Sequence, residues 1–392
     1  MQRECKLRLS TVKFSDEDQE TRRFLDTTVL YVNKSCILKY YRFQEHLHLT
    51  EINIWTMQMQ RRMRSGMASV LQWKVHRLIN VPRLIVLVVV IISLFLLLRS
   101  SEIDYGVLPY RQELFNTVAN SAFQGFNNET GSEDGEYIVP NIVHFLFLGI
   151  TEPSFVDTVC VLAAFKNHRP DKIYFHTDVE KFEGYNWEKL KGTPDLNIEI
   201  NKVTLPDEIF GQKFSSKYHR WHASDVLRIL ILMKYGGIFL DNDSFVVRNL
   251  DEFRKFEMVL GWPEGQYLGT QVLVAHKDAR FLRLWLETYR QYYPNRWYFN
   301  AGEKPTKEIL WFRPDLVHRV KTLFGVHDLA DQLYRVEGWK EWRKYYAIHL
   351  LIRHRYYRDH FWNFIWWPTL HENNIQDYPK TFGEMARDVY FD

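Results

Sequence analysis

The 392-residue sequence contains little cysteine, with three residues of this type. So few cysteines exclude a disulfide framework and a cysteine-rich zinc site. Glycine (18) and proline (13) are present in ordinary numbers, and the balance of 46% hydrophobic and 25% charged residues excludes a disordered or collagen-like chain. The length allows two or three domains, or one large domain with attachments.

An excess of positive charge is missing from most of the chain. Residues 1–83 hold 15 Lys and Arg against 8 Asp and Glu, whereas residues 84–392 hold 36 against 40. The larger part therefore shows no basic excess that would suggest a nucleic-acid partner. Aromatic residues are abundant, at 16%, and can fill a core, line a groove or form stacking surfaces.

The sequence has one long hydrophobic run, residues 84–98, which lies between Arg83 and Arg99 and has Ser93 as its only polar residue. A helix of this length spans roughly 22 Å, less than the ~30 Å hydrocarbon core, but flanking arginines can snorkel and early secretory membranes are thinner. The run is apolar all round, which disfavours a core helix, and no signal-peptidase site follows it. We predict a transmembrane signal anchor over 84–98.

The charges that flank this run predict the topology of the chain. Basic residues crowd its N-terminal side, so the positive-inside rule leaves residues 1–83 as a cytosolic basic tail and the chain after the run in the lumen. Residues 99–136 are rich in Ser, Asn, Gly and Glu, which predicts a flexible luminal stem. Within them, Asn128-Glu-Thr130 is a glycosylation sequon, and a glycan there is plausible. Residues 137–392 are predicted to form one luminal domain.

The luminal domain begins with a pattern of apolar, β-prone segments. Residues 138–149, 172–178 and 196–200 are predicted strands, and a helical stretch through Ala163 and Ala164 separates the first two. Because these strands are nearly continuous apolar runs, they predict an α/β sheet covered on both faces.

The segment from Trp221 to Tyr235 predicts a helix that carries two charged residues among apolar ones. Ser224 is a candidate N-cap, and the glycines at 236 and 237 end the helix. Asp225 and Arg228 lie three residues apart and share one helix face. Taken alone, this pair is equally consistent with an ion pair on the helix surface.

Two carboxylates follow the next short strand, Ile238–Leu240. Strands of open α/β sheets deliver ligand groups at their carboxyl ends, and Asp241 and Asp243 can converge there on a hard divalent cation. A metal held in this way can also bind a diphosphate leaving group. A solvated Asp-Asn-Asp turn is the alternative for these residues by themselves.

Taken together, Ser224-Asp225-x-x-Arg228, the two glycines, Phe239 and Asp241-x-Asp243 resemble the DXD sugar-binding region of family 32 glycosyltransferases. The same layout occurs in glucosylating clostridial toxins. The resemblance is clearest over residues 138–250 and weaker to about 370. It implies a GT-A-type, Rossmann-like nucleotide-sugar-binding fold, Mn²⁺ or Mg²⁺ as cofactor, and sugar transfer with retention from a nucleotide sugar, with a UDP-sugar as the favoured donor. For animal members it also implies a type II Golgi membrane protein.

The resemblance also implies roles for individual residues. Asp243 becomes the principal metal ligand, and Asp241 contacts the donor sugar or ribose together with the metal. Asp225 and Arg228 hold the hydroxyls of the transferred sugar, and with Asp241 they form the predicted catalytic set. Phe239 stands where tyrosine is common, which removes one hydroxyl contact but leaves a ring for stacking. The predicted donor-binding residues are Leu146 and Phe147, which match positions flanking uracil, and Ser224, Asp225, Arg228, Phe239 and Asp241.

Several further residues are candidates on the same grounds. Residues 269–275 are a predicted strand beside the site, and residues 300–302 resemble a loop near the donor. His349 lies in a C-terminal Ala-x-His segment, which makes it a candidate ligand of the metal or of the diphosphate, although a buried core histidine is the alternative. We interpret His144 as structural. The aromatic runs at 297–299 and 362–367 can stack on acceptor sugars or pack in the core.

The sequence names no nucleophile, so the resemblance favours attack by the acceptor hydroxyl on the same face as the leaving diphosphate. The predicted partners are a nucleotide sugar, a glycan or glycolipid acceptor, and the membrane. Two alternatives remain. One is an inactive or scaffolding membrane protein with this fold. The other is a haloacid-dehalogenase-type phosphatase, because the segment Phe239–Phe245 also resembles the first motif of that family.

Overall fold

The computed structural model describes residues 89–91, 107–326, 329–359 and 361–391. The chain divides into two compact units, Met1–Ile103 and Asp104–Asp392, and the second contains all described residues except 89–91. The predicted cytosolic tail lies outside the described residues, and so does the predicted anchor apart from the helical residues 89–91. Within the described ranges, no helix is both long and apolar enough to cross a membrane.

The second unit combines strands and helices in alternation. Its strands are β1 Ile142–Phe147, β2 Lys172–Thr177, β3 Ile198–Lys202, β4 Glu208–Ile209, β5 Gln212–Lys213, β6 Gly237–Leu240, β7 Ser244–Val246, β8 Met258–Gly261, β9 Val272–Ala275, β10 His318–Val320 and β11 Ala347–His349. Its α-helices are α1 Val107–Asn116, α2 Phe155–Ala163, α3 Tyr185–Lys191, α4 His219–Tyr235, α5 Arg280–Thr288, α6 Ala330–Tyr334, α7 Arg355–Arg358, α8 Phe361–Trp366, α9 Glu372–Ile375 and α10 Thr381–Tyr390. The predicted mixed α/β architecture is confirmed.

Seven of the strands form the central sheet, in the order β10-β8-β9-β6-β1-β2-β3. The four strands from β6 to β3 run parallel, β9 is antiparallel to both of its neighbours, and β10 is parallel to β8. The chain moves outward from β1 through β2 to β3 and then returns to the other side of β1 with β6. The carboxyl ends of β1 and β6 therefore meet where the strand order reverses, and ligands of open α/β sheets bind at such a point.

Both faces of the sheet are buried, as the apolar strands predicted. Along β1, Phe145 and Phe147 belong to one core cluster and Leu146 to the other. Along β6, Leu240 belongs to the first cluster and Phe239 to the second. Side chains of successive strand residues point to opposite faces. This alternation decides which of the predicted site residues can reach a ligand.

Helix α4 starts earlier than the sequence predicted. It begins at His219 with Tyr218 at the N-cap position, so Ser224 lies inside the helix, and the prediction that it caps the helix is wrong. Tyr218 makes no capping hydrogen bond through its side chain, so no sequence signal marks this start. Gly236 ends the helix with φ of 65°, as predicted for a glycine in the left-handed region.

The segment before residue 137 packs against the domain where the structure describes it. Leu114 is 3% exposed and belongs to the core cluster that also contains helix α5 residues. Further along, Asn128 is 1% exposed, and its Nδ2 donates to Glu257 Oε2 (3.2 Å) and to the Asp315 carbonyl (3.0 Å). Its Oδ1 accepts from the backbone N–H of Glu257 (3.0 Å). The folded domain thus includes residues upstream of 137, which the sequence assigned to a flexible stem.

This packing contradicts the prediction of a glycan on Asn128. A glycan would be attached at Nδ2, and that atom is buried against Glu257, which is itself fully buried and paired with Arg280 at 2.7 Å. The Asn128 side-chain amide is the group that attaches the segment before residue 137 to the core. A buried acceptor without its hydrogen bonds costs about 1–3 kcal/mol, so a bulky polar chain at this position is incompatible with the fold.

Candidate functional site

The Asp-Asn-Asp segment forms a tight turn at the end of β6. The Asp241 N–H donates to the Gln271 carbonyl (3.0 Å), and the Ser244 N–H donates back to the Asp241 carbonyl (2.8 Å). Both carboxylates are held at the carboxyl edge of the sheet, next to the end of β1. The turn is therefore structured, and its side chains are only partly exposed, 26% for Asp241 and 23% for Asp243.

The short strand β11 brings His349 to this turn. It pairs antiparallel with β7, with His349 opposite Ser244, and the Leu350 N–H donates to the Asp243 carbonyl (2.8 Å). The Nε2 atom of His349 lies 3.2 Å from Asp243 Oδ1. One ligand atom from each of Asp241, Asp243 and His349 lies within 4.8 Å of the others. The prediction that these three residues converge is thereby supported by their geometry.

The donor atoms of this cluster suit Mn²⁺ or Mg²⁺. Two carboxylates supply hard oxygen ligands, and a neutral imidazole is a common ligand of transition metals. The backbone carbonyl of Val326 accepts a hydrogen bond from the His349 ring. Because Nε2 faces Asp243, this second hydrogen bond occupies the other ring nitrogen and leaves Nε2 for a ligand role.

Asp243 and His349 shift each other's protonation. Burial raises the pKa of Asp243, but the charge and hydrogen bond of His349 and nearby backbone hydrogen bonds together hold the pKa below its usual value. Burial lowers the pKa of His349, but Asp243, with smaller contributions from Asp241 and the Val326 backbone, raises the pKa above its usual value. The pair is thus strongly coupled, and a cation between the two residues would replace the proton that they share.

Arg228 connects helix α4 to the turn. Its Nη1 donates to Asp241 Oδ1 and to the Thr270 carbonyl, both over 2.8 Å, and its Nη2 lies 3.2 Å from Asp225 Oδ1. The side chain is 7% exposed, so the guanidinium is held between two carboxylates with little water. The pair that the sequence left open as a helix-surface ion pair is buried, and it includes the first carboxylate of the turn.

Burial and charge act against each other on these groups. Burial raises the pKa of Asp225 to about 7, while Arg228 opposes the rise and Asp241 adds to it. The guanidinium of Arg228 lies over the ring of Phe239, 5.1 Å from the centroid, which favours a buried cation. The site thus keeps one positive charge close to two carboxylates that a sugar's hydroxyl groups can approach.

Two tyrosines complete the surroundings of Arg228: Tyr289, which the sequence analysis did not name, and Tyr298, which lies in the aromatic run at 297–299. Tyr289 is 1% exposed, and within the described part of the chain its hydroxyl has no hydrogen-bond partner. The Tyr298 hydroxyl donates to the Leu268 carbonyl. Burial raises the pKa of both hydroxyls, and the nearby Asp225 carboxylate adds to the rise. No spacing pattern links these tyrosines to α4, so only the folded chain identifies them.

Some predicted donor-binding residues do not face the site. Phe147 is fully buried on the opposite face of the sheet, with its ring 4.6 Å from that of Phe175 and 5.5 Å from that of Phe182. Its ring cannot flank a nucleobase, because strand alternation directs it into the other core. Phe239 is 1% exposed and lies beneath Arg228, so its ring is not open to stacking on a ligand.

The other predicted donor-binding residues lie closer to the site. Leu146 is 8% exposed and belongs to the same core cluster as Phe239. Ser224 is partly exposed and precedes Asp225 on helix α4. Its role in donor binding stays a prediction.

Three other predictions concern residues around the site. His144 is structural, because it is fully buried and donates from Nε2 to the Gly236 carbonyl (2.8 Å). The predicted strand at 269–275 is present as the shorter β9, Val272–Ala275. Residues 300–302 are buried, and the Asn300 amide binds both backbone groups of Tyr293, over 2.9 Å each, so it supports the chain instead of facing a ligand.

The aromatic runs are exposed in part. Trp297 is 49% exposed and lies beside Trp221, with 5.1 Å between the ring centroids. In the second run, Trp362 and Trp366 are 69% and 74% exposed, whereas Trp367 packs against Tyr378. The first run therefore borders α4, and most of the second is a surface feature.

The geometry disfavours the phosphatase alternative. That chemistry needs the first aspartate, Asp241, as a nucleophile, but Arg228 binds its Oδ1 at 2.8 Å and so lowers the negative charge available for attack. The ion pair of Arg228 with Asp225 would also have no role in a phosphatase reaction.

Comparisons with known proteins point to one family. Residues 158–260 match the family model described as the glycosyltransferase sugar-binding region containing the DXD motif. The sequence is 26% identical over 188 residues to glucan organizing enzyme 1 of Cryptococcus neoformans, covering 43% of this chain and 49% of that protein. It is 24% identical over 213 residues to rat lactosylceramide 4-alpha-galactosyltransferase, covering 50% of this chain and 58% of that protein. The chain thus spans about half the length of these curated relatives.

Two further comparisons are weaker. Human alpha-1,4-N-acetylglucosaminyltransferase is 25% identical over 130 residues, which cover 32% of this chain and 37% of that protein. Among solved structures, the PaToxG glycosyltransferase aligns with 55% of this chain and 81% of its own, at 16% identity and a TM-score of 0.32. The matched region of the family model contains Asp225, Arg228 and both aspartates of the turn. Residues 158–260 are thus similar to the DXD-containing sugar-binding region of glycosyltransferases, in agreement with the resemblance to family 32 seen in the sequence.

Proposed function

We propose that the protein is a metal-dependent glycosyltransferase. It moves a hexose or an N-acetylhexosamine from a nucleotide sugar, a UDP-sugar in our proposal, to a hydroxyl group of a glycan or glycolipid. The observation that carries the proposal is the convergence of Asp241, Asp243 and His349 within 4.8 Å, next to the buried Arg228. Such a cluster at the carboxyl ends of β1 and β6 provides a cation site beside polar groups for a sugar.

Each residue of the site has a separate role in the proposed transfer. Asp243 and His349 would hold the cation, and Asp241 would join them while Arg228 fixes its orientation through a 2.8 Å hydrogen bond. When bound, Mn²⁺ or Mg²⁺ supplies positive charge that stabilises the diphosphate as it leaves. Asp225 would accept hydrogen bonds from hydroxyls of the transferred sugar. Because Arg228 keeps Asp225 and Asp241 oriented before substrate binds, the site is preorganised.

We further propose that the transfer retains the configuration of the sugar. A double displacement needs a free carboxylate as nucleophile. Arg228 binds the Oδ1 atoms of both Asp225 and Asp241, which lowers the negative charge that either carboxylate offers for attack. Retention itself rests on the resemblance to family 32 glycosyltransferases, and on that basis we favour attack by the acceptor hydroxyl on the face that the diphosphate leaves, without a covalent intermediate. A trapped glycosyl-enzyme adduct would contradict this mechanism.

The proposed setting is the Golgi membrane, with a GT-A-type domain over residues 137–392 and its upstream extension in the lumen. The hydrophobic run at 84–98 supports an anchor in a single-pass type II topology, with the basic residues 1–83 in the cytosol. Two relatives support a glycan or glycolipid acceptor: the rat protein is named as a galactosyltransferase for lactosylceramide, which is a glycolipid, and the human protein as an alpha-1,4-N-acetylglucosaminyltransferase.

The proposal is tested by a donor screen with the full-length chain. Release of free sugar and nucleotide diphosphate is measured for UDP- and GDP-sugars with and without Mn²⁺, and hydrolysis of p-nitrophenyl phosphate is measured in parallel. We expect one UDP-sugar to be consumed only with the metal. Hydrolysis of the phosphomonoester alone would favour the phosphatase alternative. Failure to consume or bind any donor would favour the scaffolding alternative.

A further inference from the structure

Two exposed tryptophans pack against each other beside the candidate site. Trp221, in the first turn of α4, is 43% exposed, and Trp297 is 49% exposed. Their ring centroids are 5.1 Å apart, and their ring planes meet at 73°. This edge-to-face arrangement is favourable for aromatic pairs and leaves about half of each side chain open to solvent. Large aromatic surfaces that stay exposed in this way often mark binding sites.

Trp221 lies on the same side of α4 as the charged residues of the site. Helix residues spaced by four and by seven positions share one face, so Trp221, Asp225 and Arg228 form a row. The row runs from Arg228, which contacts Asp241, through Asp225 to Trp221. One helical turn, ~5.4 Å, separates the level of Asp225 from that of Trp221, which is comparable to the size of a sugar ring.

The second tryptophan is held in place by buried hydrogen bonds. The Trp297 carbonyl lies 3.1 Å from His222 Nε2, and the Tyr292 hydroxyl lies 2.6 Å from His222 Nδ1. Because a carbonyl only accepts, Nε2 carries the proton and Nδ1 accepts from the hydroxyl. Burial lowers the pKa of His222, which keeps the ring neutral in this arrangement. The backbone at Trp297 is therefore fixed next to α4 before any ligand binds.

The residue that follows Trp297 connects this segment to the charged site. Tyr298 is half-buried, and the carboxylates of Asp225 and Asp241 both contribute to raising the pKa of its hydroxyl, after desolvation of the hydroxyl itself. The segment that carries Trp297 thus lies beside the same charged groups as α4. Both tryptophans border the site from two separate parts of the chain.

We propose that Trp221 and Trp297 bind a pyranose ring of the acceptor, next to the transferred sugar. This inference rests on the proposed function. A pyranose has an apolar face of C–H groups, which suits an indole face, and hydroxyls at its edge, which suit the carboxylate of Asp225. A rigid aromatic wall binds with little loss of conformational entropy. The cation cluster and Arg228 account for the diphosphate and the transferred sugar, so the end of the row at Trp221 is left for the acceptor.

The test compares Trp221→Ala and Trp297→Ala with wild type in the full-length chain. Octyl β-lactoside is the acceptor probe, and the donor is the one found in the screen. The loss of one stacking face is expected to raise the KM for the lactoside about tenfold and to change the KM for the donor less than about twofold. Trp221→Phe and Trp297→Phe keep a ring and should recover most of the affinity. Trp311→Ala, at a tryptophan that is 58% exposed on another segment, is the matched control.

The outcomes separate this inference from the proposed function. An equal rise in the KM for donor and acceptor, or no change in either, overturns the acceptor role.

If the wild-type chain consumes no donor, the proposed function fails, and tryptophan fluorescence during titration with octyl β-lactoside decides the inference by itself. The same titration decides it if the lactoside is not glycosylated. A saturable change in wild type and Trp311→Ala that is lost in both alanine variants supports the inference, and any other pattern overturns it. The phenylalanine variants give the same comparison if an alanine variant fails to fold.

Discussion

His349 lies with its Nε2 atom 3.2 Å from Asp243 Oδ1, although the two residues belong to distant parts of the sequence. The antiparallel pairing of β7 with β11 creates this contact, because it places His349 opposite Ser244, the residue after Asp243. The strands on which these side chains depend are only three residues long. A small structural element therefore brings the third donor atom to the two aspartates.

The first prediction concerns cation binding. Asp243→Asn and His349→Ala each remove one donor from the cluster, so we expect the affinity for Mn²⁺ to fall by at least about tenfold. Electron paramagnetic resonance of free Mn²⁺ during a titration measures this directly. Asp278→Asn, at a carboxylate that is 42% exposed, is the control and should bind as wild type does. Unchanged affinity in both cluster variants would exclude the cluster as the cation site.

The second prediction concerns Arg228. Arg228→Met leaves Asp225 and Asp241 without their shared counter-charge, so we expect the free energy of unfolding to fall by about 3–5 kcal/mol. Arg228→Lys keeps the charge but cannot bind two carboxylates and the Thr270 carbonyl together, so we expect a smaller loss of stability and a large loss of donor consumption. Urea unfolding and the donor assay measure the two effects.

The matched control for Arg228 is an arginine whose ion pair is exposed. Arg290 pairs with Glu287, and its side chain is 55% exposed. Arg290→Met should cost about 1 kcal/mol or less, because exposed ion pairs contribute little. Equal effects at the two positions would mean that Arg228 is an ordinary surface residue.

Much of the fold could be predicted from sequence because its signals are local. The apolar strands, the glycine that ends α4 and the two aspartates that follow β6 each depend on neighbouring residues. The face of Phe147 could not be predicted, because a strand buried on both sides shows no polar alternation to orient it. The pairing that brings His349 to Asp243 is non-local, and its strands are too short to leave a pattern.

Other differences have similarly specific causes. Asn128 was predicted to carry a glycan because its sequon lies on the predicted luminal side, yet its amide is used to bind the backbone at Glu257. The start of α4 was predicted at Ser224 on the basis of capping preference, but tertiary packing extends the helix to His219. Trp221 and Trp297 meet through non-local contacts, in which His222 and Tyr218 hold the segment at 297 against the helix.

The third prediction concerns Asn128. When the chain is expressed in a secretory host, we expect Asn128 to carry no glycan, because its Nδ2 is buried. Intact mass before and after treatment with peptide N-glycosidase F measures occupancy. Thr130→Ala removes the sequon by changing an exposed residue. Its mass should differ from that of wild type only by the substitution itself, and its stability should be unchanged.

The counterpart of that control is Asn128→Asp, which keeps the shape of the side chain. It places a carboxylate against the buried Glu257, so we expect the free energy of unfolding at neutral pH to fall by about 2–4 kcal/mol. A glycan found at Asn128 on the folded chain, or a neutral effect of Asn128→Asp, would contradict the packing described here.

The fourth prediction concerns stability at acidic pH. His144 and His176 are buried and share a hydrogen bond of 3.0 Å. Burial lowers the pKa of His144 to about 4 and that of His176 to about 3. Because His144 Nε2 donates to the Gly236 carbonyl, its Nδ1 accepts from His176 and has no room for a second proton. Both rings therefore stay neutral in the folded protein.

The sign of the effect follows from proton binding. Above about pH 6.5 neither state binds protons at these residues, and stability is full. Between about pH 6.5 and 4 the unfolded chain takes up protons that the folded chain excludes, so the free energy of unfolding falls as the pH falls. His176→Phe removes one of the two groups and should reduce the slope in this window. An unchanged slope, measured by urea unfolding, would mean that other groups cause the acid sensitivity.

The central claim is that the cluster and Arg228 act together in transferring a sugar. The most direct measurement is the rate of donor consumption by the full-length chain with Mn²⁺, for wild type, Asp225→Asn, Asp243→Asn and the control Asp278→Asn. We predict turnover of one nucleotide sugar by wild type and the control, a loss of at least about a hundredfold in the two site variants, and no turnover after chelation of the metal. Turnover that persists in Asp243→Asn or without metal would contradict the account.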